Sequence, residues 1–80
     1  VSVRVVFLGR LRDLAERDEM ALPGPMDWQV LLQAVPSSVR DALQDDRVRV
    51  ACGGNLVADK SQLNAVDGDE VALLPPVSGG

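Results

Sequence analysis

The sequence has no histidine, no tyrosine and a single cysteine, Cys52. Without histidine or further cysteine, hydrolase triads lack their base and zinc sites lack their ligands. One cysteine excludes an internal disulfide framework and agrees with a reducing cytosol. Positive charge is also short: seven Arg and one Lys face twelve Asp and Glu, a net charge of -4. No basic stripe is left to neutralise a phosphate backbone, so nucleic acid is not an expected partner. An acidic surface keeps a small protein soluble or docks on basic patches of others. No apolar run approaches the ~18 residues needed to cross a bilayer, and no basic leader precedes an apolar stretch, so a cytoplasmic location is the expectation for a bacterial chain.

What is present suits one small folded domain. Eighty residues leave no room for a second core, and an apolar fraction of 46% lies away from the composition of disordered chains. The acidic pairs Asp45-Asp46 and Asp67/Asp69 lack calcium-loop spacing and read as solvated turns. Gly53-Gly54 has no following lysine and reads as a turn rather than a phosphate loop. Cys52 alternates with Val48 and Val50, which makes it a small core residue; the rival reading is a redox or sulfur-relay thiol, with only Arg47 and Arg49 on the other face as nearby cations. Trp28 reads as a core anchor or interface residue rather than a platform for a base.

Val1, Val3, Val5 and Phe7 share one face at period two, with Ser2, Arg4, Val6 and Leu8 on the other, which predicts a first strand. After Gly9, Leu11, Leu14 and Ala15 recur at helical spacing over 10–17. Asp18 to Leu22 is a weak strand or arm closed by Pro23-Gly24-Pro25. Asp27 is placed to cap the clearest helix, with Met26 and Leu31 at staple positions, Trp28, Leu31, Leu32 and Val35 as its apolar stripe, and Pro36 as its stop. Ser38 offers a second cap, for a short helix that buries Val39, Ala42 and Leu43.

Residues 47–52 form a third strand, which Gly53-Gly54-Asn55 turns back toward Leu56-Val57. Ser61 to Val66 is a connector anchored by Leu63 and Val66, and Asp67-Gly68-Asp69 turns into a last strand, Glu70 to Leu74, with Val71 and Leu73 on one face. The order is that of an α+β fold with helices on one face of a mixed sheet. The first and last strands each carry a strongly apolar face, so they are expected as a parallel central pair, the arrangement of the ubiquitin-like β-grasp roll. The expected division is a domain over 1–74 and an extended tail over 75–80.

That tail is the chemical feature. Leu74-Pro75-Pro76-Val77 is apolar and stiff where a loose linker would be polar, so it is suited to enter a groove at low entropic cost. Six extended residues reach at most about 20 Å. Glycine at 79 and 80 fits a narrow channel and leaves a terminal carbonyl open to attack. A carboxylate is a poor acyl electrophile; joined to AMP it becomes a good one, and a sulfur nucleophile then leaves a thiocarboxylate.

The run from Asp67 to Gly80, a turn, a strand, Pro75-Pro76-Val77-Ser78 and Gly79-Gly80, resembles the small subunits of molybdopterin synthase, which are ubiquitin-like sulfur carriers. Val3-Arg4-Val5-Val6-Phe7 and Arg12-Asp13-Leu14 are similar to that family's first strand and helix. The resemblance implies that Gly80 is adenylated by an adenylyltransferase related to ubiquitin-activating enzymes, which uses ATP, and converted to a thiocarboxylate by a sulfur donor protein. It implies that 74–79 are gripped by the large subunit, which builds molybdopterin from cyclic pyranopterin monophosphate. No active site, metal or bound cofactor is expected in this chain. Sulfur carriers of thiamine or cysteine synthesis, and ubiquitin-like protein modifiers, share the fold and the terminus and remain alternatives, as does a plain interaction module with an inert tail. The family often has valine and asparagine directly at the turn after the third strand. Here Cys52-Gly53-Gly54 precedes Asn55, which leaves the register of that hairpin open.

Overall fold

The computed structural model describes residues 2–76. The first strand, β1 (Val3–Phe7), buries Val3, Val5 and Phe7 and leaves Arg4 exposed and Val6 half-buried between them. This is the period-two pattern of the sequence converted into two faces. Helix α1 (Arg10–Ala15) follows, ending in a left-handed Glu16, and the weak strand is real: β2 (Glu19–Leu22) pairs antiparallel with β1.

Helix α2 (Trp28–Ala34) begins as its cap predicts, with the Asp27 carboxylate accepting from the Val30 amide at 2.8 Å. Met26 and Leu31 are both buried. Trp28 is a core residue, its ring covered by the Lys60 ammonium at 5.4 Å. The second cap is a correction. Helix α3 (Ser37–Leu43) starts two residues early, with Pro36 at its N-cap, and Ser38 lies inside it, its hydroxyl donating to the Leu14 carbonyl at 3.3 Å. Proline supplies a helix-ready φ without an amide that needs a partner, and the serine ties α3 to α1.

The third predicted strand is shorter than its pattern. Asp45 accepts from the Arg47 amide at 2.8 Å and holds 45–47 as a turn, so the strand, here β4, spans Arg49–Cys52, after the buried Val48. Gly53 and Gly54 take φ of 60° and 86°, and Cys52 pairs with Asn55 across them. Two consecutive left-handed residues are what a two-residue hairpin of this twist demands, and this settles the register of β4 with β5 (Asn55–Val57). A 3-10 turn (Lys60–Gln62) then leads to a two-stranded patch the sequence did not reveal, β3 (Met26–Asp27) with β6 (Asn64–Ala65). Here the connector reading is corrected: Leu63 is buried, but Val66 is 52% exposed and Ala65, paired with Met26, is the inward residue. Alanine's small side chain gave no hydrophobic signal.

The last strand, β7 (Glu70–Leu74), lies between β1 and β4 in a sheet of order β2-β1-β7-β4-β5. It runs parallel to β1, with Val5 opposite Val71 and Phe7 opposite Leu73, and antiparallel to β4, with Val50 opposite Leu73. The α+β roll with a parallel central pair is therefore the observed architecture. Val3, Val5, Phe7, Val50, Val71 and Leu73 on the inner face close on Leu11, Leu31, Val39 and Leu43 from the helices in one core. No charged or polar residue is buried among the described residues, so the core contains no unpaired polar group. No helix among them is long and apolar enough to cross a membrane.

Candidate functional site

Because β1 and β7 are parallel, both end at the same edge of the molecule, and the chain leaves the sheet from its central strand. The register that sets Phe7 against Leu73 carries Leu8 past Leu74 and Gly9 past Pro75. Proline has no amide to continue the ladder, so pairing stops there. Gly9 adopts φ 56°, ψ -130°, and a Cβ at that position would stand 2.9 Å from Cγ of Pro75. The glycine therefore does two things: it takes a backbone conformation closed to other residues, and it lets the tail root lie against the start of α1.

Leu74, Pro75 and Pro76 are half-buried. Of the residues expected to form the site, these three are placed together at the tail root, whereas Val77, Ser78, Gly79 and Gly80 lie outside the described residues. Beside the prolines is a cleft of about 160 Å³, floored by Leu11, Leu14 and Val48 and edged by Arg10 and Arg47 together with the carboxylates of Asp41 and Asp45. Arg47 and Arg49 line an adjoining, more open hollow against the same prolines. Sequence reasoning missed Gly9, Arg10, Arg47 and Arg49 as neighbours of the tail. The signal that would have found them is the parallel pairing itself, which brings the residues after β1 beside those after β7.

Charge near the root is partly tied up. Asp45 accepts from Nε and Nη2 of Arg47, at 3.2 and 2.9 Å, and with the backbone bond this holds its carboxyl down at about 2, against an ordinary 3.8. Behind it the Lys60 ammonium donates to the Leu43 and Asp45 carbonyls at 3.0 and 2.8 Å, pinning the end of α3 to the 3-10 turn. Cys52 is half-buried beside the core, and burial, then Asp69, pushes its thiol up. A thiol shifted that way is a weaker nucleophile near neutrality, which favours the core reading.

The sheet's outer face leads into the same edge. Val6, Ala72, Ala51 and Leu56 stand in one row across four paired strands, and Leu56 is 70% exposed. The far end is closed by charge, where Arg4 bridges Glu19 and Glu70. The geometry is thus a small apolar row and a stiff apolar tail root on a domain whose described residues form no cluster of metal ligands.

The ThiS family model matches residues 5–80, through the tail to the final glycine. The chain belongs to the ThiS family. It is accordingly a ubiquitin-like protein of the sulfur-carrier and modifier kind. No curated protein matches it in sequence. Among solved structures, this ThiS-family chain is similar to SAMP1, the small archaeal modifier protein 1 of Haloferax volcanii, at 25% identity over 100% of both chains with a TM-score of 0.75. A Pyrococcus furiosus protein assigned as molybdopterin converting factor subunit 1 is 27% identical over 96% of this chain and 99% of its own, with a TM-score of 0.70. A chain of the Helicobacter pylori complex of subunits 1 and 2 of molybdopterin-converting factor is 25% identical over 100% of both, with a TM-score of 0.66.

Proposed function

We propose that the chain carries sulfur on its C-terminal glycine as the small subunit of a molybdopterin synthase. An adenylyltransferase of the ubiquitin-activating kind joins the Gly80 carboxylate to AMP from ATP and releases pyrophosphate. The persulfide of a sulfur donor protein then attacks the acyl carbon and expels AMP, and a thiol cleaves the resulting acyl disulfide, leaving –COSH on the glycine and a disulfide between that thiol and the donor. The loaded tail enters the large subunit, where the sulfur goes into the dithiolene built on cyclic pyranopterin monophosphate. In this reading Gly80 supplies the acyl carbon and Gly79 the clearance beside it. Leu74, Pro75, Pro76, Val77 and Ser78 supply the grip, and ATP belongs to the activating partner. The chain needs no base or metal of its own.

The observation that carries this reading is the tail root. A central strand clamped by the core runs into two prolines, the first of them seated on Gly9, so a stiff segment starts from the middle of the sheet. A segment of fixed direction gives up little entropy on entering a channel. The likeness to the Pyrococcus protein and to a chain of the two-subunit Helicobacter complex supports the choice of pathway and of a large-subunit partner.

The test is intact-mass analysis after incubation with the activating enzyme, ATP and a sulfur source. The expected result is a gain equal to the difference between sulfur and oxygen at the C-terminus. The loaded protein, mixed with the large subunit and the pterin precursor, is expected to yield molybdopterin. Absence of the thiocarboxylate overturns the carrier reading. A thiocarboxylate without molybdopterin overturns only the pathway and leaves the carriers of thiamine or cysteine synthesis. The whole-length likeness to SAMP1 favours a second reading, a protein modifier, whose mark would be lysine conjugates in cells that vanish when Gly80 is deleted.

A further inference from the structure

We propose that Arg10 and Arg49 form a cationic collar around the tail root that pairs with carboxylates on the rim of the activating adenylyltransferase's pocket; the inference rests on the tail chemistry proposed above. Among the described residues, Arg4, Arg12 and Arg47 are held in ion pairs and Lys60 is spent on carbonyls and the Trp28 ring. Arg10 and Arg49 have no such partner there, and both are exposed. They border Pro75 and Pro76 in two adjoining hollows, Arg10 from the start of α1 in a cleft that also holds Asp41, and Arg49 from the start of β4, with the Asp45-paired Arg47 lining both.

The length of the tail decides where these guanidinium groups act. From Pro75 to the terminal carboxylate the chain spans at most about 20 Å, so a pocket that takes the carboxylate deep inside must bring its rim onto the tail root. Arg10 and Arg49 are then covered while their tips stay far from the reacting carbon. A guanidinium covered without an acceptor is heavily penalised, and carboxylates match its planar fork best. The rim is therefore acidic.

The choice of partner follows from charge. A protein of net charge -4 must bring an anionic terminus toward bound ATP, itself anionic, and that encounter is repulsive at long range. A local patch of the opposite sign at the docking edge offsets it. A pocket built for a pterin phosphate is already cationic and needs no such help. Groups of this kind at a rim act on encounter and on salt dependence rather than on the chemical step.

The experiment measures pyrophosphate release by the activating enzyme with the full chain as varied substrate, at low and high salt. Arg10→Glu and Arg49→Glu, each alone, are expected to raise KM by about five- to ten-fold at low salt with kcat unchanged, and the gap should shrink in high salt. Arg49→Lys should restore most of the loss. Arg17→Glu makes the same change in net charge away from the tail root and should leave KM where it was. An unchanged KM in both variants, an equal rise in Arg17→Glu, or a defect confined to large-subunit binding overturns the collar while the carrier reading stands. If wild-type chain elicits no pyrophosphate, the carrier reading itself has failed and takes the collar with it.

Discussion

Along β7 the side chains alternate between two environments. Val71 and Leu73 are buried beneath the helices, while Ala72 and Leu74 stay half-buried on the open face, where the strand runs into Pro75 and Pro76. The inner face invests apolar area in holding the strand; the outer face and the tail keep theirs for contact with something else. One strand thus serves both stability and the proposed chemistry, and alternation at period two keeps the two apart. Changes on one side should leave the other almost untouched.

The largest effect expected is at the end of the tail. Deleting Gly80, or adding one residue after it, should abolish thiocarboxylate formation by intact mass and leave the melting temperature unchanged, since neither alters the packed core. A measurable drop in melting temperature would show that the two regions are coupled. The converse substitution is Leu73→Ala, fully buried between Phe7 and Val50 on the neighbouring strands. It should lower unfolding stability by about 2–5 kcal/mol in chemical denaturation, while the folded fraction is still loaded with sulfur.

Gly9→Val tests the joint between the regions. A branched side chain at positive φ, aimed at Cγ of Pro75, should lower stability by about 1–3 kcal/mol and also slow activation, because it pushes the tail root off the sheet. A stability loss with normal activation would show that the direction of the tail is not set at Gly9. The smallest effect is that of Asp45, whose folded carboxyl titrates at about 2 rather than 3.8. A depressed carboxyl stabilises the fold above its ordinary value and loses that contribution as pH falls from 3.8 through about 2. Asp45→Asn should flatten this part of the acid-unfolding profile, followed by melting temperature against pH, without affecting sulfur loading at neutral pH.

Much of this was legible in the chain. Val3, Val5 and Phe7, the Asp27 cap, the Gly53-Gly54 turn and Val71 with Leu73 all encode local geometry strongly, and each forms as its pattern requires. The misses are where the local signal was weak or a neighbour outweighed it. Ser38 was a plausible cap until Pro36 opened the helix, and Val66 lost its inward place to Ala65 once β6 paired with Met26. Gly9 read only as a break between strand and helix; that it carries the tail depends on a residue 66 positions away.

By itself the sequence determined the elements, the apolar faces and the character of the tail, because capping, periodicity and the rigidity of proline act within a few residues. Only the tertiary structure decided what surrounds the tail root. The parallel pairing of the first and last strands sets Pro75 on Gly9 and brings Arg10, Arg47 and Arg49 around the prolines. Contacts between residues far apart in the chain depend on strand order and register, and those are chosen by the burial of the whole core rather than by any segment alone.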